Sequence, residues 1–279
     1  MISIKIITDS SCDLPEEILK KNNIEMVSLH VTFENNETFI DRVTILPEQF
    51  WERMANEREL PKTSRPAPQA FARVFREALA HHTSVIYIGL SSALSGTFES
   101  AQLASKSVSG DIHLIDSLTG SLGLGILVLK ANEFIHSEIN VQAVTKKIID
   151  YRNNMNTLFT MDSLENLIKG GRVGRLPGFI GTILSIRPIG KGGDKGQIEV
   201  LEKVRGRAKS LQRLVQLMGE MGANIQEKIV GVSHLDCFQE ALKLKKNIEE
   251  EFQPRKVILS KIGCTMGTYA GKGGIIVSF

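Results

Sequence analysis

An α/β fold in two domains is predicted by three features of the sequence. Short apolar runs that read as strands alternate with amphipathic runs that read as helices, the pattern of right-handed βαβ units on a mostly parallel sheet. Three of the early strand-like runs end in hydroxyls or acids just before a helix: at Thr8-Asp9-Ser10-Ser11, at Ser91-Ser92-Ala93-Leu94-Ser95-Gly96-Thr97 and at Asp116-Ser117-Leu118-Thr119. Beyond Asn156 a glycine- and lysine-rich turn, Lys191 to Gly196, lies between two strand-like runs, as in a β-hairpin. Residues 1–155 are therefore expected to form an N-terminal α/β domain, and residues 156–279 a smaller α/β domain with a mixed sheet. The hinge falls near Asn153 to Asn156, and a ligand crevice lies between the two.

In chain order, Ile2 to Ile7 is a strand, and Asp13, Pro15, Glu16 and Glu17 make a helix start, since acids and an early proline suit a first turn. Met26 to Val31 reads as one strand, Glu34-Asn35-Asn36 as a turn, Thr38 to Ile40 as a short returning strand and Pro47 to Ala55 as a short helix. Leu60 to Pro68 is the most proline-rich piece, and its fixed φ angles favour a stiff, extended loop that holds Thr63 and Ser64 in place. Gln69 to Ala80 spaces Phe71, Val74, Phe75, Ala78 and Leu79 as one helix face, closed by His81 and His82 at its carbonyl end.

Val85 to Leu90 and Asp111 to Ile115 are further strands, followed by helices Phe98 to Val108, Leu122 to His136 and Val141 to Arg152. The second half holds a helix, Leu164 to Lys169, then Gly170-Gly171-Arg172-Val173-Gly174-Arg175, and the hairpin strands Ile186 to Ile189 and Ile198 to Val204. Arg207 to Met221 and Phe238 to Glu250 are helices; Ile229 to Val232, Lys256 to Ser260 and Ile275 to Phe279 are strands.

With 42% hydrophobic and 23% charged residues the chain has the composition of a globular protein, not of a disordered or fibrous one. A net charge of +3, without aromatics interleaved among the basic residues, argues against nucleic acid. Cys12, Cys237 and Cys264 have no paired spacing, which fits neither a disulfide framework nor a zinc site and suggests a reducing, cytoplasmic home. No apolar run is long enough to span a bilayer, and Ile2 to Ile7 is too short for a signal peptide.

A strand-to-helix turn such as Ser91 to Thr97 offers hydroxyls and free helix N–H groups to an acidic guest; the competing reading is that a serine only caps the helix and Gly96 only relieves the turn. Dinucleotide and P-loop signatures fail. Gly120, Gly123 and Gly125 lack the dinucleotide spacing and read as close helix packing, and Gly267 to Gly273 is one residue short of a P-loop. Ser95-Gly96 matches only part of a hydrolase elbow, and His234, at a strand end, reads as a satisfied turn residue rather than as the base of a serine nucleophile. What remains is a site that holds a carboxylate or phosphate with neutral hydroxyls.

Thr8 to Pro15, Thr63-Ser64-Arg65-Pro66, Ser91 to Thr97, Asp116-Ser117, Gly170-Gly171-Arg172 and the glycine-rich C-terminal segment stand in the order and spacing of the DegV family. The chain resembles that bacterial group of fatty-acid-binding proteins, which includes the binding subunits of fatty acid kinase, over essentially its whole length. The resemblance implies no catalytic residue and no cofactor, but one long-chain fatty acid with its tail in an apolar tunnel and its carboxyl at the hydroxyl crevice. A separate ATP-dependent kinase subunit would phosphorylate that carboxyl, and transient contact with a membrane surface is compatible with such a role. By motif, Thr63 and Ser95 are the carboxyl-binding hydroxyls, with Ser64, Ser92, Gly96 and Thr97 shaping the site. Arg172 stands near the carboxyl and Arg205 on the kinase side, the plain alternative for both being a solvated basic edge. Where the family commonly has a histidine after the Gly-Thr pair, this chain has Tyr269, which donates a hydrogen bond but carries no positive charge near neutral pH. The rival reading of the same crevice is an α/β enzyme acting on a small phosphorylated or carbonyl substrate.

Overall fold

The computed structural model describes residues 3–138, 140–173 and 186–279. Ile2, Gly174 and Arg175, named above, lie outside them. The chain begins β1 (Ile4–Asp9), α1 (Glu16–Lys21), β2 (Glu25–Val27), β3 (His30–Thr32), β4 (Thr38–Ile40), α2 (Pro47–Met54), β5 (Lys62–Ser64) and α3 (Pro68–Leu79). It continues through β6 (Ser84–Gly89), α4 (Thr97–Ser105), β7 (Asp111–Asp116), α5 (Ser121–Phe134) and α6 (Val141–Asn153). After Asn156 follow β8 (Thr157–Thr160), α7 (Glu165–Lys169), β9 (Ile186–Gly192), β10 (Ile198–Arg205), α8 (Arg207–Met221) and β11 (Ile229–His234). The last elements are α9 (Phe238–Phe252), β12 (Lys256–Lys261), α10 (Cys264–Ala270) and β13 (Ile275–Ser278).

Among the described residues, the strands before Asn156 form a parallel sheet in the order β2-β1-β6-β7 and a small antiparallel sheet β4-β3-β5. The strands after it form one mixed sheet, β10-β9-β8-β13-β11-β12, in which the expected hairpin β9–β10 is antiparallel. The run expected as a single strand, Met26 to Val31, is instead broken. Leu29 donates its N–H to Ser10 Oγ (3.1 Å), so β2 stays on the parallel sheet while β3 turns away to pair with β4 and β5. The stiff Leu60 to Pro68 loop is extended as expected, but its backbone is taken up as β5. The glycine-bearing segment after Ile262, which the sequence left without an element, is the helix α10.

Helix α5 is apolar around its whole circumference from Leu122 to Leu129, as a helix must be when no face meets water. It lies between the two large sheets: one buried cluster joins it to Ile6, Ile86 and Ile88 of the parallel sheet and to Ile229 and Ile258 of the mixed one. Its glycines permit that approach. A Cβ at Gly123 would stand 2.9 Å from Thr157 Oγ1, and one at Gly125 would stand 2.7 Å from the carbonyl oxygen of Cys12. Close packing is thus the role of this glycine cluster.

Asp13 does not cap α1, whose first turn has no side-chain cap. With φ at 51° it turns inward and is fully buried, where Ser121 Oγ (2.6 Å) and the Gly263 N–H (2.7 Å) donate to its carboxylate and Ser260 Oγ donates to its carbonyl (2.7 Å). It therefore ties β1's turn to α5 and to the segment leading into α10. Burial pushes its carboxyl up to about 7 from 3.8, against the pull of those hydrogen bonds. A carboxyl that is harder to ionise folded than unfolded adds stability below the unfolded value near 4 and loses it as pH rises through about 7. Urea midpoints of the wild type and Asp13→Asn, compared from pH 4 to pH 7, should show the wild type losing stability relative to the variant by up to about 1.4 kcal/mol per pH unit. Parallel pH profiles would remove Asp13 as the source.

Candidate functional site

The hydroxyl turn between β6 and α4 is held from below by carboxylates. Fully buried Asp9 accepts from the Leu90 N–H (2.9 Å), Tyr87 Oη (2.8 Å), the Ser11 N–H (3.1 Å) and Ser11 Oγ. Its burial raises its pKa, while those donors act in the opposite sense. Asp116, at the end of β7, accepts from the N–H groups of Ser92 (3.2 Å) and Leu118 (3.0 Å). From the opposite half, Gly196 accepts from Ser91 Oγ (2.8 Å); its φ of 78° and the closeness of Ser91 and Leu118 leave no room for a side chain there. The three strand ends legible in the sequence therefore converge on one turn.

Above that turn a ring of contacts closes. Thr63 Oγ1 on β5 and Tyr269 Oη on α10 are hydrogen-bonded at 2.6 Å. The Arg172 guanidinium lies over the Tyr269 ring, 4.6 Å from its centroid, and donates to the carbonyls of Leu94 (3.3 Å) and Gly170 (2.6 Å). Leu94 leads to Ser95 and Gly96, and Arg65, two residues beyond Thr63, donates back to the Gly96 carbonyl (3.1 Å) and pairs with Glu99. Tyr269 rests directly on Gly170, where a Cβ would collide with its ring.

Ser95 Oγ accepts from the Thr97 N–H (3.3 Å) and meets Thr97 Oγ1 at 2.9 Å. The former bond satisfies the first N–H of α4, whose N-cap residue is Gly96 and not Ser95. It does not exhaust the hydroxyl: with Thr97 as donor in both contacts, the Ser95 proton stays available to an incoming oxygen.

The ring stands over an apolar cavity of about 70 Å³. Thr157, Phe159 and Met161 alternate along β8 and its end, so they share one sheet face, while Leu158 and Thr160 face the other way. With Ile198, Ile276 and Leu167 they form the cavity wall, and Met266, Tyr269 and Ala270 of α10 cover it. At the hairpin end the wall is polar, with Thr119 Oγ1 and Thr157 Oγ1 hydrogen-bonded at 3.0 Å.

Of the residues expected from sequence, Tyr269 and Arg172 line the cavity itself, and Thr63 joins them through its hydrogen bond to Tyr269. Ser95 and Thr97 are hydrogen-bonded to one another, next in the chain to Leu94, which lines the cavity and accepts from Arg172, and Gly96 is held by Arg65. Ser64 and Ser92 lie on the exposed rim. Arg205 is not brought to the ring: it is exposed at the end of β10 opposite to Ile198, which lines the cavity. His234 is buried at the end of β11, but its Nδ1 has no hydrogen-bond partner, so it is not a satisfied turn residue. It lines a separate cleft with Trp51 and Phe238, and burial lowers its pKa. The sequence reasoning missed Leu94, Thr119 and the whole β8 wall, for which the alternation Thr157-Phe159-Met161 was the available signal. Among the described residues no cluster of histidine, cysteine or carboxylate side chains could hold a metal ion, and no helix is long and apolar enough to cross a membrane.

The family model described as "Uncharacterised protein, DegV family" matches residues 3–279. A DegV domain-containing protein of Staphylococcus aureus (strain MRSA252) is 33% identical over 270 residues, which cover 97% of this chain and 96% of that protein. Two solved structures share the fold over the full length. DegV, a fatty acid binding protein from Bacillus subtilis, is 29% identical with a TM-score of 0.89, the match covering 100% of this chain and 99% of that one. The Streptococcus pneumoniae Fatty Acid Kinase (Fak) B3 protein, loaded with linoleic acid, is 26% identical with a TM-score of 0.87 and the same coverage. On the family model and the staphylococcal relative together, the chain belongs to the DegV family.

Proposed function

We propose that the protein binds one long-chain fatty acid, tail in the cavity and carboxyl at the ring of Thr63, Ser95, Arg172 and Tyr269, and presents it to a separate ATP-dependent kinase subunit for acyl-phosphate formation. The observation that carries this reading is an apolar cavity lined by Arg172 and Tyr269, whose hydroxyl is bonded to Thr63, with the Ser95 and Thr97 hydroxyls following the cavity residue Leu94 in the chain. That the Bacillus protein is a fatty acid binding protein and that the Streptococcus protein carries linoleic acid supports it. In this reading residues 1–155 supply the hydroxyls and residues 156–279 the tail wall and Arg172. The protein itself is the non-catalytic partner: Asp9 and Asp13, the buried acids nearest the turn, are occupied by internal donors.

The tail runs along β8. From Met161 at the ring end to Thr157 at the hairpin end is roughly 13 Å at about 3.3 Å per residue, a distance of several methylenes beyond the head group. About ten methylenes buried along that span at ~0.8 kcal/mol each give on the order of 8 kcal/mol of gross attraction, before association and ordering costs. The tail therefore supplies most of the affinity and the ring mainly orients the carboxyl.

Titration with a fluorescent long-chain fatty acid and displacement by unlabelled acids tests the binding step directly, and saturable 1:1 displacement is expected. Gly192 lines the tail end with open space about it, a Cβ meeting only Thr157 Cβ at 3.9 Å. Gly192→Val should weaken octadecanoic acid more than dodecanoic acid, and an equal loss for both would place the methyl end elsewhere. Ser95→Ala should lower acyl-phosphate formation by the kinase more than it lowers affinity; unchanged phosphorylation would remove Ser95 from the head-group site. For Tyr269→Phe a weaker affinity is expected, by about 0.5–1.5 kcal/mol for one hydrogen bond. Unchanged affinity would show that the tyrosine hydroxyl does not reach the ligand.

A further inference from the structure

Tyr269 is the sixth residue of a seven-residue helix, too short to hold its own place in water, so something outside α10 must fix it. Fully buried Asp41, which directly follows β4, accepts from the Cys264 N–H (3.3 Å), the Thr265 N–H (3.3 Å) and Thr265 Oγ1 (2.8 Å), and from Ser10 Oγ (3.0 Å) on its other side. Thr265 and Tyr269 are four residues apart and so share one face of α10. Along that face Thr265 meets Asp41 after β4 and Tyr269 meets Thr63 on β5, the two outer strands of the small sheet. On the opposite face of α10 Trp51 of α2 lies so close over Gly267 that no side chain could be added there.

We propose that Asp41 is a positioning residue for the head-group site: by holding the first turn of α10 it sets where the Tyr269 hydroxyl meets Thr63 and where its ring lies under Arg172. The inference rests on the fatty-acid reading above. Asp41 touches no cavity surface, so its effect on a ligand passes through Tyr269 and is confined to the carboxyl end.

The test compares oleic acid with methyl oleate, which shares the tail but lacks the ionised head group, by titration calorimetry on the full chain. Asp41→Asn should weaken oleic acid by about 3- to 10-fold while leaving methyl oleate nearly unchanged. In the double variant with Tyr269→Phe, the loss for oleic acid should be no larger than the greater single loss, because both changes remove one interaction. The sole tryptophan of the chain, Trp51, should report the shift of α10 as a change in emission. Should Asp41→Asn fail to fold, Thr265→Val removes one hydrogen bond of the same contact and should give a smaller loss with the same acid-over-ester selectivity. Equal losses for acid and ester, or additive losses in the double variant, would overturn the positioning role while leaving fatty-acid binding intact. A wild type that binds neither probe would overturn both.

Discussion

A carboxylate taken out of water needs donors on nearly all of its lone pairs, and this chain buries three of them, Asp9, Asp13 and Asp41, at the seams of its structure. Each accepts from groups that the chain brings from far away: Asp9 from Tyr87 and Leu90, Asp13 from Ser121 and Gly263, Asp41 from Cys264 and Thr265. Removing any one would leave donors unpaired in the interior, at a cost of about 1–3 kcal/mol for each. The arrangement of the two large sheets, and with it the cavity between them, depends on these contacts.

Packing and polar contacts divide the work. Helix α5 binds the sheets through apolar contact on every side, which is strong but has little direction. The carboxylates add direction. Asp9 and Asp116 set the hydroxyl turn, and Asp13 and Asp41 set the entry of α10, so the Ser95 side of the ring and the Tyr269 side are placed from the same N-terminal half. Arg172 then spans from Tyr269 to Leu94 and closes the mouth over an apolar floor. The ring joins hydroxyls and one guanidinium, a composition suited to holding a carboxyl.

The alternation of strands and helices, the hairpin at Lys191 to Gly196 and the packing glycines of α5 were legible because each is written in local spacing. The hydroxyl turn was legible for the same reason, although Ser95 Oγ also accepts the first N–H of α4. Other features depend on partners that no local pattern carries. Asp13 looks like a helix start, yet the donors to its carboxylate lie more than a hundred residues away, as do the Cys264 and Thr265 donors to Asp41. Met26 to Val31 has uniform strand composition, and only the bond from Leu29 to Ser10 Oγ divides it between two sheets. Helix α10 was hidden by its shortness and by Gly267 in its middle, where Trp51 occupies the space of a side chain.

The central claim is that the cavity under the Tyr269 ring is made for an aliphatic chain ending in a carboxyl. The most direct measurement is organic extraction of the purified, folded protein followed by mass spectrometry of the extract, with native mass spectrometry giving the stoichiometry. The account predicts one long-chain monocarboxylic acid per protein molecule. A folded protein that repeatedly yields no aliphatic acid and takes none up when it is supplied, or that carries a small polar metabolite in its place, would contradict it.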